Sequence, residues 1–182
     1  MSLTFNYHLS QEHLHVGCDK PRAYFIPYGS KEAAKTGNRA ASDRFLSLCG
    51  EWSFRYYKSV NDVEDFTAPD WSGEGNERLN VPMSWLMALG RGYDTPNYTN
   101  VRYPFPVDPP HVPDDNPCGL YERDFEIDAE TLKSRKIKLV FEGVDSCFYV
   151  YVNNKFVAYS QVSHMTSEIP VDDYLVAGKN NI

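Results

Sequence analysis

The sequence predicts an all-β fold, an antiparallel sandwich for which jelly-roll topology is the first choice. Three observations carry that expectation. Aromatic residues make up 14% of the 182, thirteen of them Tyr and ten Phe, a bias that suits pleated sheet better than helix bundles. Apolar residues recur at period two in several short runs. Turn residues separate those runs, with no helical pattern of about ten residues or more between them, which favours antiparallel over parallel pairing. With 42% hydrophobic and 24% charged residues the chain can bury one sizeable core, which excludes a disordered or fibrous protein and fits one domain better than two.

Residues 1–45 read as an irregular, polar N-terminal arm broken by Pro21, Pro27, Gly29 and Gly37; the sandwich takes 46–182. Its first strand signal is Trp52 to Tyr57, where Trp52, Phe54 and Tyr56 share one face that should be core. The acidic stretch from Asp62 to Trp71 allows a short helical turn before Pro69, and Glu77 to Val81 reads as a strand stopped by Pro82. Between Pro82 and Gly119 the chain carries Pro96, Pro104, Pro106, Pro109, Pro110, Pro113 and Pro117, too irregular for an ordinary connection. That segment also holds Trp85, Leu86, Met87, Tyr93, Tyr98, Tyr103 and Phe105, so a long ordered loop packed on something is expected. Alternation resumes over Leu120–Ile127, followed by strand runs at 137–141, 148–152 and 156–159, with Asn153-Asn154 as a two-residue hairpin turn because Asn tolerates positive φ. Ala177 to Asn181 reads as a turn and Ile182 as the first residue of a strand, so the sandwich is expected to be truncated at its C-terminal end, with a free sheet edge open to self-association.

Charge narrows the partners. Eighteen Lys and Arg against twenty-five Asp and Glu give a net charge of -7, which provides no basic face for nucleic acid. The longest apolar stretches, such as Cys147 to Val152, are far below the roughly 18 residues of a membrane span, and the first residues, from Met1, carry no basic start and apolar core of a secretory leader. Neither a membrane nor nucleic acid is an expected partner, and the compartment, cytoplasm or periplasm, stays open. Cys18, Cys49, Cys118 and Cys147 are too widely spaced for a zinc site or a disulfide scaffold, and four buried thiols are expected.

Few residues suggest chemistry. Asp114 with Asp115, Asp172 with Asp173 and Glu142 with Asp145 could pair as acid and base, but neighbouring carboxylates are usually solvated turn residues and nothing brings two to a shared cleft. His13 and His15 would face one way along a strand and lack a third ligand, so no metal site is expected. No nucleophile elbow, phosphate-binding glycine loop or dinucleotide fingerprint is present, and no catalytic residue is assigned. What remains is the aromatic, amide-bearing loop. Trp85 and Tyr98-Thr99-Asn100 offer ring faces for sugars and an amide for hydroxyl groups, though packing is the commoner use of each.

Extended motifs then point to a family. Val81-Pro82-Met83-Ser84-Trp85, the run Gly92-Tyr93-Asp94-Thr95-Pro96-Asn97-Tyr98-Thr99-Asn100-Val101-Arg102-Tyr103-Pro104, and Val112-Pro113 with Asn116-Pro117-Cys118-Gly119-Leu120-Tyr121 resemble the amino-terminal domain of β-galactosidases of glycoside hydrolase family 2. Leu48 to Phe54, Phe141 to Ser146, Ser167-Glu168-Ile169 and Ala177 to Asn180 resemble the same domain, so the likeness runs from about Pro21 to Ile182. The resemblance implies a galactose-binding-domain-like jelly roll that is not itself catalytic, within an enzyme that hydrolyses terminal non-reducing β-D-galactosides with carboxylates carried by other domains. It implies that Asn100 is a substrate-binding residue, hydrogen-bonding the galactosyl group. It also implies that the parent enzyme uses Mg2+ and Na+, with no ligand identified in this chain, and that the remaining domains of the same chain are its partners. Two other readings stand beside it: a free-standing galactoside-binding lectin and an assembly module. The chain departs from the best-known members at Ala88-Leu89-Gly90-Arg91, which looks longer, and at Ser84, where Asn is commoner.

Overall fold

A computed structural model describes residues 5–101, 103–109 and 111–182. Met1 to Thr4, Arg102 and Pro110, which enter the leader, motif and proline readings above, lie outside them. Among the described residues ten strands follow in order: β1 His15–Val16, β2 Gly50–Tyr57, β3 Glu77–Val81, β4 Cys118–Glu122, β5 Asp124–Ile127, β6 Lys138–Phe141, β7 Cys147–Val152, β8 Lys155–Gln161, β9 Ser167–Pro170 and β10 Gly178–Asn181. Two short helices, α1 Lys31–Lys35 and α2 Ala129–Ser134, and several 3₁₀ turns complete the chain.

Every strand pairing is antiparallel, in the orders β3-β2-β4, β1-β8-β7, β10-β5 and β6-β9. The fold is therefore all-β, as expected. Among the described strands only β2-β3 and β7-β8 join neighbours in sequence; the other pairings close long loops. The β7-β8 hairpin turns at Asn153 and Asn154, whose φ of 50° and 63° are the left-handed values that Asn accepts more readily than other side chains. The Asn153 amide donates to Tyr174 O and Asn180 Oδ1, both at 2.9 Å, its Oδ1 accepts from the Asn181 N–H at 3.0 Å, and its N–H donates to Asn181 O at 2.9 Å. The turn is thereby tied to β10.

Three sequence expectations change. The alternation over Leu120–Ile127 is two strands, because Arg123 interrupts it: its backbone exchanges hydrogen bonds of 2.8 and 2.9 Å with Ile182, while its guanidinium caps Leu48 O and Cys49 O at 3.1 Å. Gly178–Asn181 is a strand paired with β5 and not a turn, because Asn180 is buried and its amide meets Val176 N, Val176 O and Gly178 O locally while the backbone stays extended. The arm also contributes structure that its composition hides: β1 pairs with β8, Arg22 forms an ion pair with the buried Glu168, and Lys138 bonds Asp19 at 2.6 Å. Farther along, Tyr24 and Arg39 both donate to Glu142, the latter at 2.7 Å.

The main core is aliphatic. Ile127, Leu139, Val150, Val152, Val157, Ala158, Ile169, Val171 and Leu175 form one buried cluster drawn from β5 to β9 and the segment after β9. Phe54 and Leu79, on β2 and β3, are buried under the long loop's side of the molecule.

Candidate functional site

The loop from Pro82 to Pro117 is anchored by rings. On β2, Trp52 and Phe54 are buried and Tyr56 is half-buried on the same face, as period two requires. Tyr121 of β4 lies 4.7 Å from Phe54, ring centre to ring centre. The loop then sends two rings back: Trp85 sits 6.1 Å from both Phe54 and Tyr56, and Tyr93 sits 5.3 Å from Phe54 and 5.2 Å from Tyr56. Mixed edge-on and offset geometries at these separations are the favourable ones for aromatic pairs. Gly119 is what lets the rings close over β4, since a Cβ there would lie 2.7 Å from both Phe54 Cε2 and Trp85 Cζ3. Burial among rings pushes the Tyr121 hydroxyl up to about 12.

Trp85 is thus part of the packing, and its buried indole N–H has no hydrogen-bond partner among the described residues. Packing, the commoner of the two uses weighed for Trp85, is the one seen here. Beyond Tyr93 the loop runs over the surface. Asp94 Oδ1 accepts from the Thr95 N–H at 2.9 Å, and the Val101 N–H donates to Tyr98 O at 3.0 Å, which folds Tyr98–Val101 into a turn with Thr99 and Asn100 at its centre. Tyr98 is 74% and Val101 78% exposed, and Asn100 is exposed between them. The amide named from the sequence is therefore exposed on a surface turn that follows the ring-anchored stretch of the loop.

The opposite face of β2 carries a polar network that sequence patterning did not reveal. Arg55 donates to Asn76 Oδ1 at 2.8 Å and Glu64 Oε2 at 2.5 Å, and its guanidinium lies 4.9 Å over the Trp71 ring. The Asn76 amide reaches Ser53 Oγ at 2.8 Å and Glu122 Oε2 at 2.9 Å, and Trp71 Nε1 reaches Glu122 Oε1 at 3.2 Å. The only hint in the sequence is that Ser53 and Arg55 alternate with the core aromatics.

The other sequence candidates are accounted for separately. Asp172 accepts the Ile137 N–H at 3.0 Å and Asp145 accepts the Ser163 hydroxyl at 2.7 Å, while Glu142 holds the arm, its carboxyl lowered by Tyr24 and Arg39. Asp114 and Asp115 are exposed, with the Asp114 carbonyl accepting from Ser59. His15 Nδ1 contacts Ser160 Oγ at 2.8 Å and His13 packs against Tyr7, so the pair goes to different neighbours. Among the described residues no three His, Cys, Asp or Glu side chains gather as metal ligands. The cysteines are free, but the expectation of four buried thiols is not met: Cys49 is exposed beside the β2 start, and Cys18, Cys118 and Cys147 are half-buried, burial pushing Cys118 up to about 12. Among the described residues no helix is long and apolar enough to cross a membrane.

The family model described as glycosyl hydrolases family 2, sugar binding domain, matches residues 45–182. The chain belongs to that family. Beta-galactosidases of Actinobacillus pleuropneumoniae and Staphylococcus xylosus are 45% and 40% identical to it over 177 residues, which is 97% of this chain and 17% of each relative. The chain thus spans 17% of the length of these relatives and corresponds to one domain of a larger enzyme chain. Among solved structures, a glycosyl hydrolase family 2 member from Bacteroides cellulosilyticus shares the fold with a TM-score of 0.53 at 20% identity, over 75% of this chain and 16% of its own. A beta-glucuronidase from an uncultured Clostridium sp. does so with a TM-score of 0.51 at 21% identity, over 75% of this chain and 20% of its own.

Proposed function

We propose that this family 2 domain serves a retaining β-galactosidase, helping to form the subsite for the terminal non-reducing galactose while carboxylates elsewhere in the parent chain do the chemistry. The observation that carries the reading is the Tyr98–Val101 turn, which leaves Asn100 exposed. An amide there can donate to one sugar hydroxyl and accept from another once a neighbouring domain covers it. The names of the two relatives support the substrate class. Mg2+ and Na+ belong to the same reading as cofactors of the whole enzyme, and it assigns them no ligand in this chain.

The remaining domains of the parent chain are the natural cover for the loop. Met83, Met87, Leu89, Tyr98, Val101, Tyr103 and Val107 are all exposed along it, a density of apolar side chains typical of surfaces that are covered in the assembled molecule. Edge-strand self-association, expected from the sequence, is narrowed by the Asn153–Asn181 bonds that occupy part of the β10 edge. A lectin that relied on the Tyr98–Val101 turn would have to hold a sugar by one exposed amide, too little to offset the entropy of fixing a ligand.

Steady-state kinetics of Asn100→Ala in the full-length enzyme test the proposal. Loss of a hydrogen bond in a dry site should raise KM and lower kcat/KM by the equivalent of about 1 to 3 kcal/mol. A normally folded variant with unchanged kinetics would remove Asn100 from the subsite.

A further inference from the structure

An open cleft of about 440 Å³ lies beside β2 at the root of the long loop, where Tyr56, Tyr93, Arg55, Arg91, Glu74 and Glu77 meet. Strand lengths create it. β3 begins at Glu77 opposite Phe54, so β2 continues through Arg55, Tyr56 and Tyr57 with β4 on one side and no β3 partner on the other. The lane that a longer β3 would have filled is bounded by Glu74 and Gly75 on one flank and by Arg91 to Tyr93 on the other. The volume falls within the roughly 300 to 1,000 Å³ usual for small-molecule clefts.

Its chemistry is specific. The Tyr56 and Tyr93 rings lie 5.2 Å apart and nearly parallel, at 29°, and supply an aromatic wall. Two carboxylates face two guanidiniums, so the lining carries no net charge. Arg55 is committed, donating to Asn76, Glu64 and Glu74 O. Arg91 is looser: one nitrogen donates to Arg78 O at 2.9 Å and reaches Glu77 Oε2 only at 3.4 Å, with both side chains about half exposed. An ionic ligand would gain no net attraction here. A neutral ring bearing vicinal hydroxyls would, because its apolar face fits the aromatic wall while Arg91 donates to hydroxyl oxygens and Glu77 accepts from hydroxyl hydrogens.

We propose that this cleft is a second saccharide subsite, holding a neutral pyranose between the Tyr56–Tyr93 wall and the Arg91–Glu77 pair. None of its lining residues belongs to the Tyr98–Val101 turn, so the assignment stands independently of Asn100.

Saturation-transfer NMR on the full-length protein tests it, with methyl 1-thio-β-D-galactoside and methyl 1-thio-β-D-glucoside as probes resistant to hydrolysis and sodium glucuronate as a charged control. At least one neutral probe should show a binding phase that persists in Asn100→Ala and weakens about tenfold or more in Arg91→Ala/Glu77→Gln, as expected for losing charge-assisted hydrogen bonds. Both changes are at exposed side chains, and a thermal melt matching the parent's would show that the double variant is folded. Should it melt early, a crystal soaked with the same probe decides: sugar density against Tyr56 and Tyr93 supports the subsite, and density only elsewhere overturns it. No phase sensitive to Arg91 and Glu77, or tighter binding of glucuronate than of either neutral probe, also overturns it. An Asn100→Ala variant with unchanged kinetics beside a phase that tracks Arg91 would sink the galactose-subsite reading and leave this one standing.

Discussion

Around Ile169 the buried side chains are aliphatic and come from strands or the segment directly following one, whereas around Phe54 the packing is aromatic and two of its rings, Trp85 and Tyr93, arrive from the long loop. The difference lies in what each cluster depends on. The aliphatic side chains come from three separately paired sheets and the segment after β9, so register sets which of them face inward and packing between the sheets brings them together. The ring cluster is completed only when the loop folds back on β2 and β4. Its packing energy therefore also fixes where the Tyr98–Val101 turn stands. One cluster maintains the fold; the other couples the fold to the loop that carries Asn100.

Truncation in each cluster should separate these roles. Ile169 is fully buried, and Ile169→Ala should cost about 2 to 5 kcal/mol through lost transfer energy and a cavity. Denaturant melts should register that loss, with KM of the folded enzyme unchanged. A rise in KM for this variant would show that the aliphatic core also positions the loop. Gly119→Ala should cost less, about 1 to 3 kcal/mol, because its Cβ would meet Phe54 and Trp85 at 2.7 Å and force the rings apart. Here KM should rise, since the displaced Trp85 belongs to the loop. Stability lost with unaltered KM would break the proposed coupling.

Sequence legibility divides along the same line. The Trp52-Ser53-Phe54 strand was readable because period two survives there, Phe148 to Val152 because it is a short run of aromatic and β-branched residues ended by a turn, and the Asn153-Asn154 turn because the need for positive φ selects few residues. Arg123 and Gly178–Asn181 were misread because their conformation is set by distant partners, Ile182 and β5, that no local pattern encodes. The position of Asn100 came from family resemblance. Its exposure on a turn, the packing of Trp85 on the β2 rings and the cleft beside β2 depend on how the loop returns to the sheet, a long-range outcome that spacing along the chain does not express.

The hairpin turn offers an intermediate test, since it joins the aliphatic hairpin to β10 by polar contacts. Asn153→Ala would strain a φ of 50° and strip partners from the buried Asn180 and from the Asn181 N–H. A loss of about 1 to 3 kcal/mol is expected, with faster amide exchange along β10. Exchange unchanged at β10 would mean that pairing with β5 alone holds the strand.

The smallest expected effect concerns the arm. His8 packs edge-on against Tyr149, and its Nδ1 contacts the Tyr149 hydroxyl at 2.8 Å, while Tyr7 stacks on the same ring. Burial lowers the His8 pKa below its ordinary value of 6.5, so the folded protein resists a proton that the unfolded chain accepts. Stability then rises with pH wherever the unfolded state binds more protons. The contribution of neutral His8 is complete above the unfolded value of about 6.5 and is lost as pH falls through the lower folded value. Other groups titrate in the same range, so the informative quantity is the difference between the parent and His8→Gln, which keeps a polar side chain but cannot take up the proton. Melting temperatures of the two should diverge as pH falls from about 7.5 to about 5.5, the parent losing more. Parallel profiles across that window would show that protonated His8 is tolerated in place, and that the arm's hold on β7 rests on the stacked rings and not on this contact.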